Sequence, residues 1–483
     1  MRISRFFART VGWPLGLVFV ATACAGSSAE PGWSSGPTAS YPAPLRDLPS
    51  HGSCPLAVPA HCYTPDQVRR AYGIDTLGAA GLTGKGRVIA VYDTVVPPTL
   101  EADLRTFSAR LGLPAPDLTV KRRPLEGGEK PGRFDRDSPA ALLAALETTL
   151  DVQMAHMAAP DARIVVTELV LPAPAHAPSP SPSGRPVRPA SNKPHYTEPK
   201  TAKETGEVIG AMIAEGVEDS LRDDRPDVLS LSYGFPEWVA AGDTGGPVEM
   251  FEQMGRAFAD AAKAGTTVVA AAGDWGAAPP VGKGGAPVRT ANWPCSAPEV
   301  VCVGGTRLHL DADGRRIRPD TVWNDLALGH GATGGGPSQT FARPAYQAGV
   351  ARTVGGRRGT PDISMDAAYD GATLIYQSFL PEGAGWYPAA GTSEAAPLFA
   401  ALVALAHEKA GRRIPNLHEK LYAMAGEPGS GIVDVTDGDN GVDGLGYRAT
   451  DGYDLASGLG TVNAAVFVPA LAAGSGAAPR ASR

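Results

Sequence analysis

Charged residues are sparse in this 483-residue chain, 19% in all, and its 43 Lys and Arg are scattered rather than gathered into runs. Against 50 Asp and Glu they leave a formal net charge of −7. No basic stripe is therefore present to neutralise a phosphate backbone, which excludes nucleic acid as a partner. No segment recurs with a period of about 20 to 50 residues, which removes repeat architectures. Cysteine is scarce: there are five, an odd count for an exported chain, so one thiol stands outside any set of internal pairs. The apolar run near the N-terminus, Val11 to Ala21, is too short to span a bilayer comfortably.

What precedes and follows that run gives it a meaning. Arg2, Arg5 and Arg9 form a positive leader, and Ala21-Thr22-Ala23 supplies the small residues of a cleavage site, so residues 1–23 read as a secretory signal, with an N-terminal membrane anchor as the alternative. Cys24 directly follows and resembles the lipidated cysteine of a bacterial lipobox, although Ala21 stands where Leu is commoner. That accounts for the odd thiol and predicts a surface-tethered or secreted protein. The other four pair by proximity, Cys54 with Cys62 and Cys295 with Cys302, each closing a short loop in an oxidising compartment; unpaired thiols remain the alternative. Residues 24–61 then form a tether and N-terminal disulfide loop, rich in Ser, Pro, Gly and Ala.

One principal domain is expected over 62–468, with a disordered tail at 469–483. Its first helix lies in YTPDQVRRAYG, with Thr64 as N-cap and Pro65 at the first helical position. A strand at Arg87 to Tyr92, running into Asp93, opens an alternation of apolar runs and helical segments. LEADLRTFSARLG, SPAALLAALETTLDVQMAHMA, ETGEVIGAMIAEGVEDSL and GPVEMFEQMGRAFADAAKAG read as helices; ARIVVTELV, DVLSLSYG and TTVVAAAGD read as strands. Strands apolar throughout and separated by helices predict an α/β fold, a doubly wound, mainly parallel sheet with helices on both faces. Residues 171–200, dense in Pro and Ser, form neither helix nor ladder and are expected to be a disordered surface insertion.

Three features carry chemistry. GTSEAAP, Gly391 to Pro397, puts Ser393 at the opening of an apolar helical run, where unpaired backbone N–H groups favour either capping or nucleophilic attack. Glu147 and Asp151 stand four apart on a helix and so on one face, where like charges repel unless they share a proton. Leu146, Leu150, Val152 and Met154 around them argue that the pair is buried. Asp274 ends VVAAAGD at the carboxyl edge of the sheet, the edge at which open α/β sheets hold ligands; a protonated Asp there can donate to an oxyanion, or Gly273-Asp274 simply begins a turn.

Taken together with VLSLSYG (Val228 to Gly234), TVWND (Thr321 to Asp325), TGGGPSQTFARPAYQ (Thr333 to Gln347) and PDISMDA (Pro361 to Ala367), these motifs follow one another as in the sedolisin family of serine-carboxyl peptidases, and the chain resembles that family from about residue 62 to 468. The resemblance implies a subtilisin-like fold with Ser393 as nucleophile, Glu147 as general base, Asp151 orienting Glu147, and Asp274 as oxyanion donor. It implies an endopeptidase acting in acid on protein or peptide substrates, since a Glu base keeps its carboxylate at pH values where a histidine is already protonated. A Ser/His/Asp reading would use Asp93, but no HGT-like motif follows it: His51 precedes the core, His156 lies on the Glu147 helix, and His176 and His195 fall in the insertion. Asp93 is therefore read as structural.

The stretch 432–460 is rich in Asp and Gly, and carboxylates with loop carbonyls are the hard oxygen ligands that Ca²⁺ prefers. The resemblance implies one Ca²⁺ held by the side chains of Asp434 and Asp454 and the carbonyls of Val435, Thr450 and Gly452; polar turns are the alternative. Two departures from the family accompany these features. Fewer than about 40 residues separate Cys24 from the catalytic region, too few for the usual folded pro-domain, and Ala390 precedes GTS in place of Gly or Ser. A monomer is expected. The rival readings are a catalytically silent surface lipoprotein that binds through the same scaffold, and a serine esterase.

Overall fold

The computed structural model describes residues 44–49, 61–124, 134–170, 202–237, 249–279 and 287–473. The signal segment, Cys24, Cys54, the 171–200 insertion and the 469–483 tail beyond residue 473 lie outside the described residues. In chain order the principal elements are α1 (Pro65–Tyr72), β1 (Val88–Asp93), α2 (Leu100–Arg110), β2 (Asp117–Pro124), α3 (Pro139–Ala158), β3 (Arg163–Val170), α4 (Ala202–Asp223), β4 (Val228–Leu231), α5 (Glu249–Lys263), β5 (Thr267–Ala271), β6 (Val300–Arg307), β7 (Thr321–Val322), β8 (Ile363–Asp366), β9 (Ala372–Gln377), β10 (Gly385–Ala389), α6 (Thr392–Ala410) and α7 (Ala464–Ala473).

The central sheet has eight strands in the order β7-β6-β5-β4-β1-β3-β2, with β8 also paired to β6. Every pairing is parallel except β7 with β6. The cause is visible in β1, β4 and β5, whose residues are buried nearly without exception: strands apolar on both sides need a helix layer over each face. One layer buries α3, α6 and α7 with the sheet in a single core. The other buries α4 and α5, around Trp293 and Phe258.

Local signals set the ends of the helices that matter. Thr64 caps α1 in a reciprocal capping box with Gln67, Pro65 occupies the first turn, and Gly73 ends the helix at φ 74°; a cap of this kind contributes about 1 kcal/mol. Ser138 caps α3 by accepting the N–H of Ala141, and Pro139 begins it. From Thr148 to Ala158 every residue of α3 is buried, which is why its apolar character runs all round rather than along one stripe.

A small second sheet joins Cys62–Tyr63 to β9 in parallel and β9 to β10 antiparallel. The backbone of Leu45 extends it by pairing with Trp386. Cys295 and Cys302 form a disulfide with Cα atoms 4.7 Å apart, and Cys62 is also disulfide-bonded. Among the described residues no helix is long and apolar enough to cross a membrane.

Candidate active site

The carboxyl ends of β1, β4 and β5 and the start of α6 meet at one place, the edge at which a parallel sheet leaves room for a ligand. α6 begins at Thr392, and its N-cap is Gly391 at φ 119°, a glycine with no side chain to cap the helix. Ser393 thus sits inside the first turn, not at the cap, and its side chain is free of a capping role. It is 4% exposed, and its hydroxyl donates a long bond to the carbonyl of Ser232, just past β4, at 3.4 Å.

Glu147 on α3 faces that hydroxyl. Ser393 stabilises the charged Glu147 carboxylate, but burial, then the charge of Asp93, then that of Asp274, drive its pKa well up. The Oε1 atom of Glu147 is enclosed and without a hydrogen-bond partner. One turn on, Asp151 is fully buried with neither oxygen in hydrogen-bonding geometry. Burial first, and then Asp93 and Glu147, raise its pKa, while the Ser232 hydroxyl pulls it down.

Asp93, read from sequence as structural, belongs to this cluster. It ends β1, is 4% exposed, has one oxygen unpartnered, and its charge bears on both Glu147 and Asp151. Burial raises its own pKa, with Thr148 as the opposing influence. The three carboxyls therefore titrate as one unit in which each ionisation hinders the next. Position at the carboxyl end of the first parallel strand was the only sequence signal, and without the sheet it could not be tied to the α3 pair. Ser232, in VLSLSYG, carries the corresponding signal in its place just past β4.

Asp274 follows β5 and approaches from the other side of Ser393. Its Oδ1 accepts the Thr392 N–H at 2.8 Å and the Thr392 hydroxyl at 2.7 Å, and that hydroxyl in turn accepts the N–H of Gly273 at 2.9 Å. Burial outweighs both bonds and raises the Asp274 pKa to about 6. The Oδ2 atom lies against Gly391, where a Cβ would come within 2.6 Å of it; only glycine fits there. Asp274 thus begins no ordinary turn: it is a buried acid clamped to the backbone that carries the serine.

His156, the only histidine on α3, is engaged elsewhere. It is buried and hydrogen-bonded to Ser108 on α2 at 3.1 Å, and burial lowers its pKa to about 4. The site is built from carboxyls and hydroxyls.

The five residues assigned to Ca²⁺ converge as well. Asp434 Oδ2 accepts the Gly452 N–H at 2.7 Å and Asp454 Oδ2 the Thr450 N–H at 2.9 Å. Ser457 links the carbonyl of Val435, at 3.4 Å, to Asp454, at 3.1 Å. Among the described residues no three His, Cys, Asp or Glu side chains gather to hold a metal. An ion here would lean on backbone carbonyls, and two carboxylates with carbonyls from a glycine-containing loop are a donor set that fits Ca²⁺.

Comparison with known proteins agrees with this fold. Residues 144–421, more than half of the chain, match the subtilase family. The chain is 31% identical to kumamolisin of Bacillus sp. (strain MN-32) over 421 residues, 83% of this chain and 62% of that protein. It is 32% identical to sedolisin of Pseudomonas sp. (strain 101) over 258 residues, 52% and 42% of the two chains. The chain thus spans 62% or less of the length of these curated relatives. The solved structure of Pseudomonas sedolisin, a serine-carboxyl proteinase complexed with two molecules of pseudo-iodotyrostatin, aligns with a TM-score of 0.65 over 86% of this chain and 98% of that one, at 24% identity, which shows the shared fold. The chain belongs to the subtilase family, and the curated relatives it matches include kumamolisin and sedolisin.

Proposed function

We propose that this chain is a monomeric serine-carboxyl endopeptidase that hydrolyses protein or peptide substrates in acid. The observation that carries the reading is the placement of Ser393 between a buried carboxyl cluster on one side and a buried, backbone-clamped Asp274 on the other. The crowded carboxyls of Glu147, Asp151 and Asp93 resist full ionisation, and a hydroxyl stands by each: Ser393 by Glu147, Ser232 by Asp151 and Thr148 by Asp93.

Ser393 Oγ attacks the scissile carbonyl as its proton passes to Glu147, which relieves the crowded charge in the cluster. The carbonyl oxygen becomes an oxyanion, to which the protonated Asp274 donates a hydrogen bond. Glu147 then returns its proton to the leaving amine, the C–N bond breaks and an acyl-Ser393 remains. Water attacks that ester, giving a proton to Glu147, which passes it to Ser393 Oγ as the acyl C–O bond breaks and the carboxylic acid product leaves. Asp151 and Asp93, set one turn away on α3 and at the end of β1, keep Glu147 oriented and set its basicity.

Asp434, Val435, Thr450, Gly452 and Asp454 would hold one Ca²⁺, which would supply charge neutralisation for the chain between α6 and α7 rather than chemistry at the serine. Export through residues 1–23, with Cys24 as a lipid anchor, completes the proposal; the mass of the mature N-terminal peptide tests it. The peptidase reading itself is tested with a peptide aldehyde. With the aldehyde carbon labelled with ¹³C, wild type is expected to show a hemiacetal carbon resonance in solution at acid pH and Ser393→Ala to show none; a hemiacetal resonance that persists in Ser393→Ala would refute it.

A further inference from the structure

Two more carboxyls lie beside the nucleophile and take no part in the steps above. Glu394, next to Ser393 in the first turn of α6, is 0% exposed. Its Oε1 accepts the hydroxyl of Thr373 on β9 and its Oε2 has no partner. Asp366, which ends β8, is also 0% exposed; Oδ1 accepts the Leu308 N–H at 3.3 Å and Oδ2 has no partner. The charge of Asp366 acts directly on Glu394.

The Asp366 charge acts on one cation, Arg316, which is already engaged. Tyr72 of α1 places its hydroxyl 2.7 Å from the Asp366 N–H, as the acceptor, and Tyr63 feels the Asp366 charge. Asp320 adds a second negative charge. Arg316 lies over the Tyr72 ring at 4.9 Å and is held by Asp320 at 2.8 Å. The positive end of α6 favours one negative charge at Glu394. The N–H groups of Leu308, Ala368 and Ala367 favour a charge on Asp366, but burial outweighs them.

The pair is mechanically tied to the serine. The carbonyl of Ala367, adjoining Asp366, accepts the Gly391 N–H at 2.9 Å, and the Gly391 carbonyl accepts the Glu394 N–H at 2.9 Å. Gly391 is also the residue pressed against Asp274. These bonds link the backbone of both acids to the turn that carries Thr392 and Ser393.

We propose that Glu394 and Asp366 are a positioning pair that shares one proton, and that this shared proton keeps the turn bearing Ser393 closed; ionising both carboxyls opens the turn. The effect on turnover rests on the peptidase reading, whereas the effect on the turn does not.

Burial raises Asp366 to about 8 and Glu394 well above its ordinary value. The folded state then keeps protons that the unfolded chain releases above about pH 4, so closure is fully stable below that pH and weakens as pH rises towards about 8. The test is hydrogen exchange, read by mass spectrometry as protection of the first turn of α6 relative to its C-terminal half, in wild type, Glu394→Gln and Asp366→Asn. An amide at either position supplies the hydrogen that the shared proton supplied, so the variants fold.

Between about pH 4 and about pH 8, first-turn protection is expected to fall at least about tenfold in wild type and to hold nearly constant in the variants. A parallel fall in the variants, or none in wild type, overturns the proposal. If one variant fails to fold, the other decides; if neither amide variant folds even in acid, the pair does not share a proton and the proposal is wrong. A wild type that cleaves nothing would refute the peptidase reading and leave this measurement readable.

Discussion

Asp274 grips the residue before the serine with one oxygen: its Oδ1 accepts both the backbone N–H and the hydroxyl of Thr392, at 2.8 Å and 2.7 Å. The other oxygen lies against Gly391. One acid therefore fixes the start of α6, and the proposed mechanism gives it a second task as donor to the oxyanion.

Replacing Asp274 by Ala is expected to lower kcat by about 10²–10³-fold, the loss seen when one oxyanion donor is removed. Steady-state kinetics at the acid optimum read it. A change confined to KM would show that Asp274 only shapes substrate binding.

Thr392→Val keeps the shape of the side chain but removes the hydroxyl that links the Gly273 N–H to Asp274. The buried N–H is left unpaired, at a cost of about 1–3 kcal/mol. Chemical denaturation measures it, and an unchanged midpoint would mean that the link is dispensable.

Gly391→Ala would force a Cβ to within 2.6 Å of Asp274 Oδ2, from a backbone at φ 119°. Backbone strain alone accounts for about 1–3 kcal/mol. Activity should fall more than stability, because the residue that must move carries the oxyanion donor. A fully active, folded Gly391→Ala would contradict the geometry.

Chelation of Ca²⁺ is expected to lower Tm without changing the catalytic residues. At about 100 times its Kd a bound ion adds about 2.7 kcal/mol. Asp454→Asn should abolish the Ca²⁺ dependence of Tm, and a Tm indifferent to both Ca²⁺ and chelator would return the 432–460 stretch to polar turns.

Much of this was legible in the sequence, and the exceptions have physical causes. β1, β4 and β5 announce themselves because both faces are covered, and the start of α3 is written in Ser138-Pro139. β2 is hidden by its Lys and Arg residues: it is an edge strand paired only with β3, so its polar residues reach solvent and break the apolar run. β6 contains Gly304 and Gly305 because Ser364 and Pro361 at one, and Ala367 and Trp323 at the other, leave no space for a Cβ, and glycine lowers any strand signal read from propensity. The α3 pair could be read because both members lie on one helix. Asp93 could not, because its contact with them exists only once β1 is laid beneath α3. Glu394 and Asp366 were hidden for the same reason, each in a motif quoted for its neighbours.

The raised pKa of Asp274, about 6, makes the account directly testable by pH. Its folded value lies above the ordinary carboxyl range, so its proton is in place below that range and is lost as pH rises through about 6, together with the oxyanion bond and part of the stability. The decisive measurement is cleavage of an unfolded protein across about pH 2 to 8 by wild type, Ser393→Ala and Glu147→Gln, with Ca²⁺ present. The account predicts acid-only cleavage by wild type, falling through about pH 6, with losses of at least about 10²-fold in Glu147→Gln and more in Ser393→Ala. Cleavage with an optimum near about pH 8, or cleavage that survives both substitutions, would contradict it.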